Sequence, residues 1–270
     1  MVYFTPGINY IYLKNYGSKN YEYYIKVEES FKQGTQFTSN GIKYKVTSIS
    51  SSTSGVCSVV GGSKTNIVIP KTVVYQGATF DVTSIAKNAF KNNKQIKTVK
   101  TASYSYLKSI GTYAFSGCTK LKSVDFSNTD VEVINTGTYK NCKSLTKFKY
   151  RDYKLSKIGK EAFYGCKKLS TVDMSFSKIK TIGDSAFKNC TGLREVKFED
   201  LTSIGKEAFK GCKKLKVLNF MWCKNLKKFG KNCFYGISKG ADIYVYKRSM
   251  YTKLCKTSGV PSGVWIHWMW

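Results

Sequence analysis

The stretch IGKEAFYGCKKLSTV at residues 158–172 returns as IGKEAFKGCKKLKVL at 204–218. That recurrence constrains the fold more than any other feature of the chain. Aligned on Ile-x-x-x-Ala-Phe-x-x-Cys-x-x-Leu-x-x-Val, one aromatic column reads Phe90, Phe115, Tyr139, Phe163, Phe187, Phe209 and Phe234, with steps of 25, 24, 24, 24, 22 and 25 residues. A unit this short cannot enclose a core of its own, whereas stacked units share a continuous one. Like residues must then pile into rows.

Each unit divides into two periodicities. Ile158, Ala162, Phe163, Cys166 and Leu169 fall on one face of a short helix. Val172 and Met174 alternate with Thr171, Asp173 and Ser175 in the manner of a strand. A period in the twenties with Leu-x-x-Val-x-Phe in each unit fits a leucine-rich-repeat solenoid. The expected fold is therefore an α/β-type solenoid, with a parallel β-sheet on one face and short helices or turns on the other. Three segments follow: a β-rich N-terminal cap over 1–84, about seven repeats over 85–240, and a strand–helix cap with a Trp-rich tail over 241–270.

In the cap, YIYLKN and YEYYIKVEES flank YGSKN as a tyrosine-rich hairpin. The tyrosines at 3, 10, 12, 16, 21, 23 and 24 suit cross-strand packing, with stacking on sugar rings as the rival reading. NGIKYKVTSIS (40–50) and QGATFDVTSIA (76–86) echo each other as a turn followed by a strand. The closing VWIHWMW is expected to pack over the last coil.

Two columns are assigned to the core. Phe115, Phe163, Phe187 and Phe209 are its large members, and Cys118, Cys142, Cys166, Cys190 and Cys212 line up beside them. Rungs about 4.8 Å apart hold Cβ vectors parallel, whereas a disulfide prefers a Cβ separation near about 3.8 Å. The column cysteines are thus expected as buried free thiols behaving as small hydrophobes. The redox state of Cys57, Cys223, Cys233 and Cys255 stays open. Glu161 and Glu207 at the start of the helical piece, with Lys167, Lys168, Lys213 and Lys214 at its end, would complement a helix dipole.

The outward strand positions form the candidate ligand surface. Their middle column runs Lys100, Asp125, Lys149, Asp173, Lys197 and Asn219, so alternating charges could pair from rung to rung. Lys147, Lys149, Arg151, Asp173, Glu195, Lys197 and Glu199 are the candidate binding residues. Because this face is nearly balanced, the net charge of +29 belongs mainly to loops, helix ends and terminal segments. That excess attracts polyanions in general.

Catalysis finds little support. His267 is the single histidine, far from the cysteine column. Asp125 and Asp173 lie two rungs apart, about 10 Å, on a flat surface, and no phosphate-cradling glycine loop occurs. No catalytic residue, metal ligand or cofactor is expected. VYFTPGINYIYLKN after Met1 lacks the pattern of a signal peptide. No run approaches the roughly 20 apolar residues of a spanning helix, so no transmembrane segment is expected.

IGKEAFYGCKKLSTV and its siblings resemble the BspA-like leucine-rich repeats, whose unit carries Ile-Gly-x-x-Ala-Phe-x-x-Cys-x-x-Leu. IVIPKTV, the paired VTSI strands and ADIYVYKR also look like segments that flank such arrays. The likeness covers about residues 40–260 and departs from the pattern at Asn135-Thr136-Gly137-Thr138-Tyr139. It implies a secreted or cell-surface protein of host-associated bacteria or protozoa, without a catalytic motif. Three functions are in view: a monomeric adhesion scaffold for a protein or glycan, an electrostatic attachment module for wall polymer or nucleic acid, and a structural spacer.

Overall fold

A computed structural model describes the backbone of residues 10–14 and 22–26, and residues 31–150 and 154–268 in full. The chain is a β-solenoid. Each coil contributes a long strand, a two-residue strand and a series of tight turns, and its apolar side chains point into one continuous core.

The long strands form two parallel sheets. The first holds Asn66–Ile69, Thr98–Thr101, Ser123–Asp125 and Lys147–Lys149; the second holds Thr171–Met174, Glu195–Phe198, Val217–Phe220, Asp242–Val245 and Trp265–Trp268. Pairing is in register, as in Val124↔Phe148 and Val172↔Val196. The ladder is interrupted where Phe148 stands in a column that carries Val99 and Val124 on the coils before it and Val172 and Val196 on those after it. Its half-buried ring packs edge-on against Phe163 at 4.7 Å and stacks on Tyr150 at 4.9 Å. A ring in a slot sized for valine forces local displacement.

The two-residue strands make a second row: Val133–Ile134, Lys157–Ile158, Thr181–Ile182, Ser203–Ile204 and Lys228–Phe229. Ser109–Ile110 joins the N-terminal sheet, where it pairs with Ala78–Ile85. That sheet continues through Ser54–Gly62, Ile42–Ser51 and Gln36–Ser39. The two echoing segments therefore flank the same strand, one antiparallel and one parallel to it. Asn40-Gly41 and Gln76-Gly77 both take positive φ and close two-residue hairpins, the conformation that matches strand twist. Tyr10–Lys14 and Glu22–Lys26 pair antiparallel.

The helices expected between strands are absent from the described coils, and the only helix among the described residues is Ser249–Thr257. In the coil of Phe163, alternate amides bond within the turn and across to the next coil. Tyr164 N–H donates to the Glu161 carbonyl at 3.1 Å and Cys166 N–H to that of Phe163 at 3.1 Å. Between them, Glu161, Phe163 and Gly165 donate to Asp184, Ala186 and Lys188 of the neighbouring coil at 2.9, 2.7 and 2.9 Å. An α-helix would consume every amide internally and leave the coils unjoined there. The backbone also forbids it, because Glu161 has φ +54° and Gly165 φ +70°, left-handed values that do not occur within an α-helix. The second left-handed column is occupied by Asn92, Gly117, Asn141, Gly165, Asn189, Gly211 and Gly236, the two residue types that tolerate it best.

The dipole reading of the charges falls with the helix. Glu161 instead binds Lys140 of the preceding coil at 2.7 Å. Glu207 binds Lys188 at 2.6 Å and Lys210 at 2.8 Å. Lys167, Lys168, Lys213 and Lys214 are exposed on turns.

The aromatic column is buried and stacked. Centroid separations run 5.3, 5.6, 5.3, 5.1, 5.2 and 5.7 Å from Phe90 to Phe234. The degenerate coil keeps the stack: Gly137 takes the left-handed position, and the Tyr139 hydroxyl meets that of Tyr150 at 3.2 Å. Where other coils carry glycine, the Asn135 amide donates to the Ile110 carbonyl at 2.8 Å.

Candidate functional site

The column cysteines do more than fill space. Each thiol donates to the carbonyl of the ring residue one coil earlier: Cys118 to Phe90 at 3.0 Å, Cys142 to Phe115 at 3.1 Å, Cys166 to Tyr139 at 3.1 Å, Cys190 to Phe163 at 3.0 Å and Cys212 to Phe187 at 3.1 Å. All nine cysteines are free, and only Cys255 is exposed. Burial pushes the thiols of Cys57, Cys118, Cys223 and Cys233 up to about 12, and those of Cys142, Cys166 and Cys212 well above the ordinary value. A protonated, buried thiol is a poor nucleophile.

His267 stands on the last strand, beside Tyr244, whose ring it stacks on at 4.7 Å. Its Nε2 lies 2.7 Å from Asp242 Oδ1. Among the described residues no group of three or more His, Cys, Asp and Glu could hold a metal ion.

Six of the seven candidate binding residues lie on or beside the long strands, but they do not share one sheet. Lys147 and Lys149 belong to the first long-strand sheet; Asp173, Glu195, Lys197 and Glu199 belong to or border the second. Arg151 lies outside the described residues. Nor does the alternating column pair from rung to rung. Asp173 faces Lys197 in register, yet its Oδ1 accepts from the Ser175 amide at 3.0 Å and the Ser175 hydroxyl at 2.5 Å. Asp125 does the same with Ser127, at 3.1 and 2.6 Å, and Asn219 accepts from the Met221 amide at 3.1 Å. These side chains cap the turn that ends each strand, a local bond that competes with cross-rung pairing. Lys197 pairs with Glu199 of its own strand end, at 3.8 Å.

Beyond the strand ends lies a feature outside the three outward columns. Phe176 is 64% exposed and Trp222 is 51% exposed. With Glu199, Asp200, Lys178 and Lys224 they line a hollow of about 530 Å³. By the strand register, Asp200 occupies the rung between the two rings, and it is held by Lys180 at 2.5 Å. The sequence places an aromatic three residues past both Asp173 and Asn219, beyond the strand ends, where strict alternation no longer holds. At the end of the same face Trp265 is 69% exposed. The tail thus adds a strand to the sheet with Trp265 on the outer face, because Ile266 takes the inward position against the core.

No helix is long and apolar enough to cross a membrane among the described residues. No curated protein matches the chain at a significant level. In fold it is similar to a leucine-rich repeat protein of T. pallidum, at 24% identity and a TM-score of 0.60, over 75% of this chain and 89% of that one. A Bacteroides ovatus leucine-rich repeat protein aligns at 18% identity with a TM-score of 0.43, over 87% of this chain and 100% of the other. The pneumococcal vaccine antigen PcpA aligns at 16% and 0.30, over 89% and 100%. The pattern described as the BspA type leucine rich repeat region matches in six copies, over residues 61–177 and 108–241. The chain belongs to the BspA-type leucine-rich repeat family.

Proposed function

We propose that the protein is a non-enzymatic binding scaffold, secreted or held at a cell surface, that engages a protein or glycan through the outer face of its second long-strand sheet. The observation that carries this reading is the hollow bounded by Phe176 and Trp222. Two exposed rings flank a fixed carboxylate, with lysines at the rim. Exposed aromatics set in a polar surround mark interaction sites, and aromatic anchors dominate interface energies. Glu195, Lys197 and Glu199 extend the surface along the strands, with Lys147 and Lys149 as its far margin. The perturbed thiols and the solvent-exposed His267–Asp242 pair favour a structural role over chemistry.

The test is binding of the whole chain to an array of matrix proteins and mucin-type glycans. Saturable binding that survives about 300 mM salt, where polyanion contacts collapse, and that falls at least tenfold in Phe176→Ser/Trp222→Ser is the expected result. Absence of any saturable ligand would favour a structural spacer instead.

A further inference from the structure

The wall formed by the two-residue strands holds a second surface of different chemistry. A trough of about 890 Å³ runs across five coils, from Asn135 to Gly230, and ends against the helix at Lys253 and Lys256. Four steps of about 4.8 Å make it about 19 Å long. Its floor has no side chains at Gly159, Gly183, Gly205 and Gly230, for a physical reason. A Cβ at Gly183 would stand 2.6 Å from the Lys160 nitrogen, and one at Gly205 2.5 Å from that of Asp184. The coils approach too closely there for anything but glycine.

Seven lysines line the trough, among them Lys157, Lys160, Lys206 and Lys228, against a single carboxylate. That carboxylate, Asp184, is turned to the backbone and accepts the Lys206 amide N–H at 2.7 Å. Elsewhere on the coils Lys140, Lys180 and Lys188 each meet a carboxylate. None of the trough lysines forms an ion pair among the described residues. Seven of the basic side chains behind the net charge of +29 thus stand together, outside any ion pair, along one extended depression.

We infer that this trough binds an extended anionic polysaccharide, a chain of sugar rings bearing sulfate or carboxylate groups. Charge complementarity selects a polyanion. The lining selects a glycan over nucleic acid. It contains no arginine, the residue suited to bidentate phosphate contacts. Its one aromatic, Phe229, is half-buried, so the trough lacks the stacking platform that single-stranded nucleic acid uses. It offers hydroxyls instead, from Thr136, Thr181, Ser203 and Thr257, to meet ring hydroxyls. This site goes beyond the strand-face reading and does not depend on it.

The experiment uses the full chain with three labelled probes: a sulfated heparin-type octasaccharide, the same octasaccharide desulfated and N-acetylated, and a single-stranded DNA of matched charge. Saturable binding of the first, with the other two at least tenfold weaker, is expected. Lys206→Gln/Lys228→Gln should weaken the sulfated probe tenfold or more, while Lys167→Gln/Lys168→Gln, with the same loss of charge on exposed turns, should change it less than twofold. Thermal unfolding of both variants checks that they remain folded. Equal weakening by the two pairs would show diffuse attraction and overturn the inference. DNA bound as tightly as the glycan, or no saturable binding, would overturn it too. Phe176→Ser/Trp222→Ser should leave this binding intact, which separates the two sites.

Discussion

Replacing Phe163 by alanine removes the ring at the middle of the stacked column. The side chain is fully buried, lies 5.3 Å from Tyr139 and 5.1 Å from Phe187, and meets Phe148 edge-on at 4.7 Å. Loss of a buried phenylalanine costs about 3–5 kcal/mol, including the cavity left behind. Each aromatic pair adds about 0.5–1.5 kcal/mol beyond its buried area, which places Phe163→Ala in the upper half of that range. Phe90, at the start of the column with Phe115 as its stacking partner at 5.3 Å, should fall in the lower half. Urea unfolding followed by far-UV circular dichroism and by tryptophan fluorescence measures both. Every tryptophan lies at or beyond residue 222, so fluorescence reports the C-terminal coils while circular dichroism reports the whole. Because a solenoid is held by nearest-neighbour interfaces, a weakened middle coil should separate the two transitions. A cost below about 1 kcal/mol would refute the buried, stacked column, since no large core side chain is lost so cheaply.

Three further outcomes follow from the same packing. Ser185 has φ +53°, so Ser185→Gly relieves a left-handed strain of about 1–2 kcal/mol; net of glycine's entropy it should stabilise slightly, whereas in a helix it would cost about 0.5 kcal/mol, and the sign read by urea unfolding decides. A thiol reagent at mildly alkaline pH should label Cys255 alone in the native state, and rapid labelling of the column would contradict its burial. Hydrogen bonds from Lys188 and then Lys210 lower the Glu207 carboxyl to about 2 from an ordinary value of 4.5. Its stabilisation is therefore complete above the ordinary carboxylate range and fades as pH falls from about 4.5 to about 2; the stability difference between wild type and Glu207→Gln should shrink to nothing across that window, and a difference constant with pH would dismiss the pairing.

The repeat register was legible because burial imposes it: a column spaced by one coil has to be apolar to share the core. The turns were misread as helices for an equally physical reason. Ile158, Ala162, Phe163, Cys166 and Leu169 all point inward, and a chain of tight turns can present the same spacing as one helical face. The distinguishing mark was the glycine or asparagine before each column cysteine, a backbone signal and not a hydropathy signal. The charge ladder failed because a one-letter pattern cannot tell whether an aspartate faces its neighbour or its own turn, as Asp173 and Ser175 do. Phe176 and Trp222 lie just past the strands, where alternation had stopped being counted. The lysine trough depends on which coils a two-residue strand brings together, and two residues leave no periodicity to read.

The central claim is that successive coils are joined to one another through their turns. Scalar coupling across hydrogen bonds, measured by nuclear magnetic resonance on labelled protein, tests it most directly. The amide nitrogen of Phe163 should couple to the carbonyl carbon of Ala186, and that of Phe187 to Ala208, matching bonds of 2.7 Å in both places. Coupling of Phe163 to Gly159 instead, four residues back in its own coil, would place a helix where these turns stand and contradict the account.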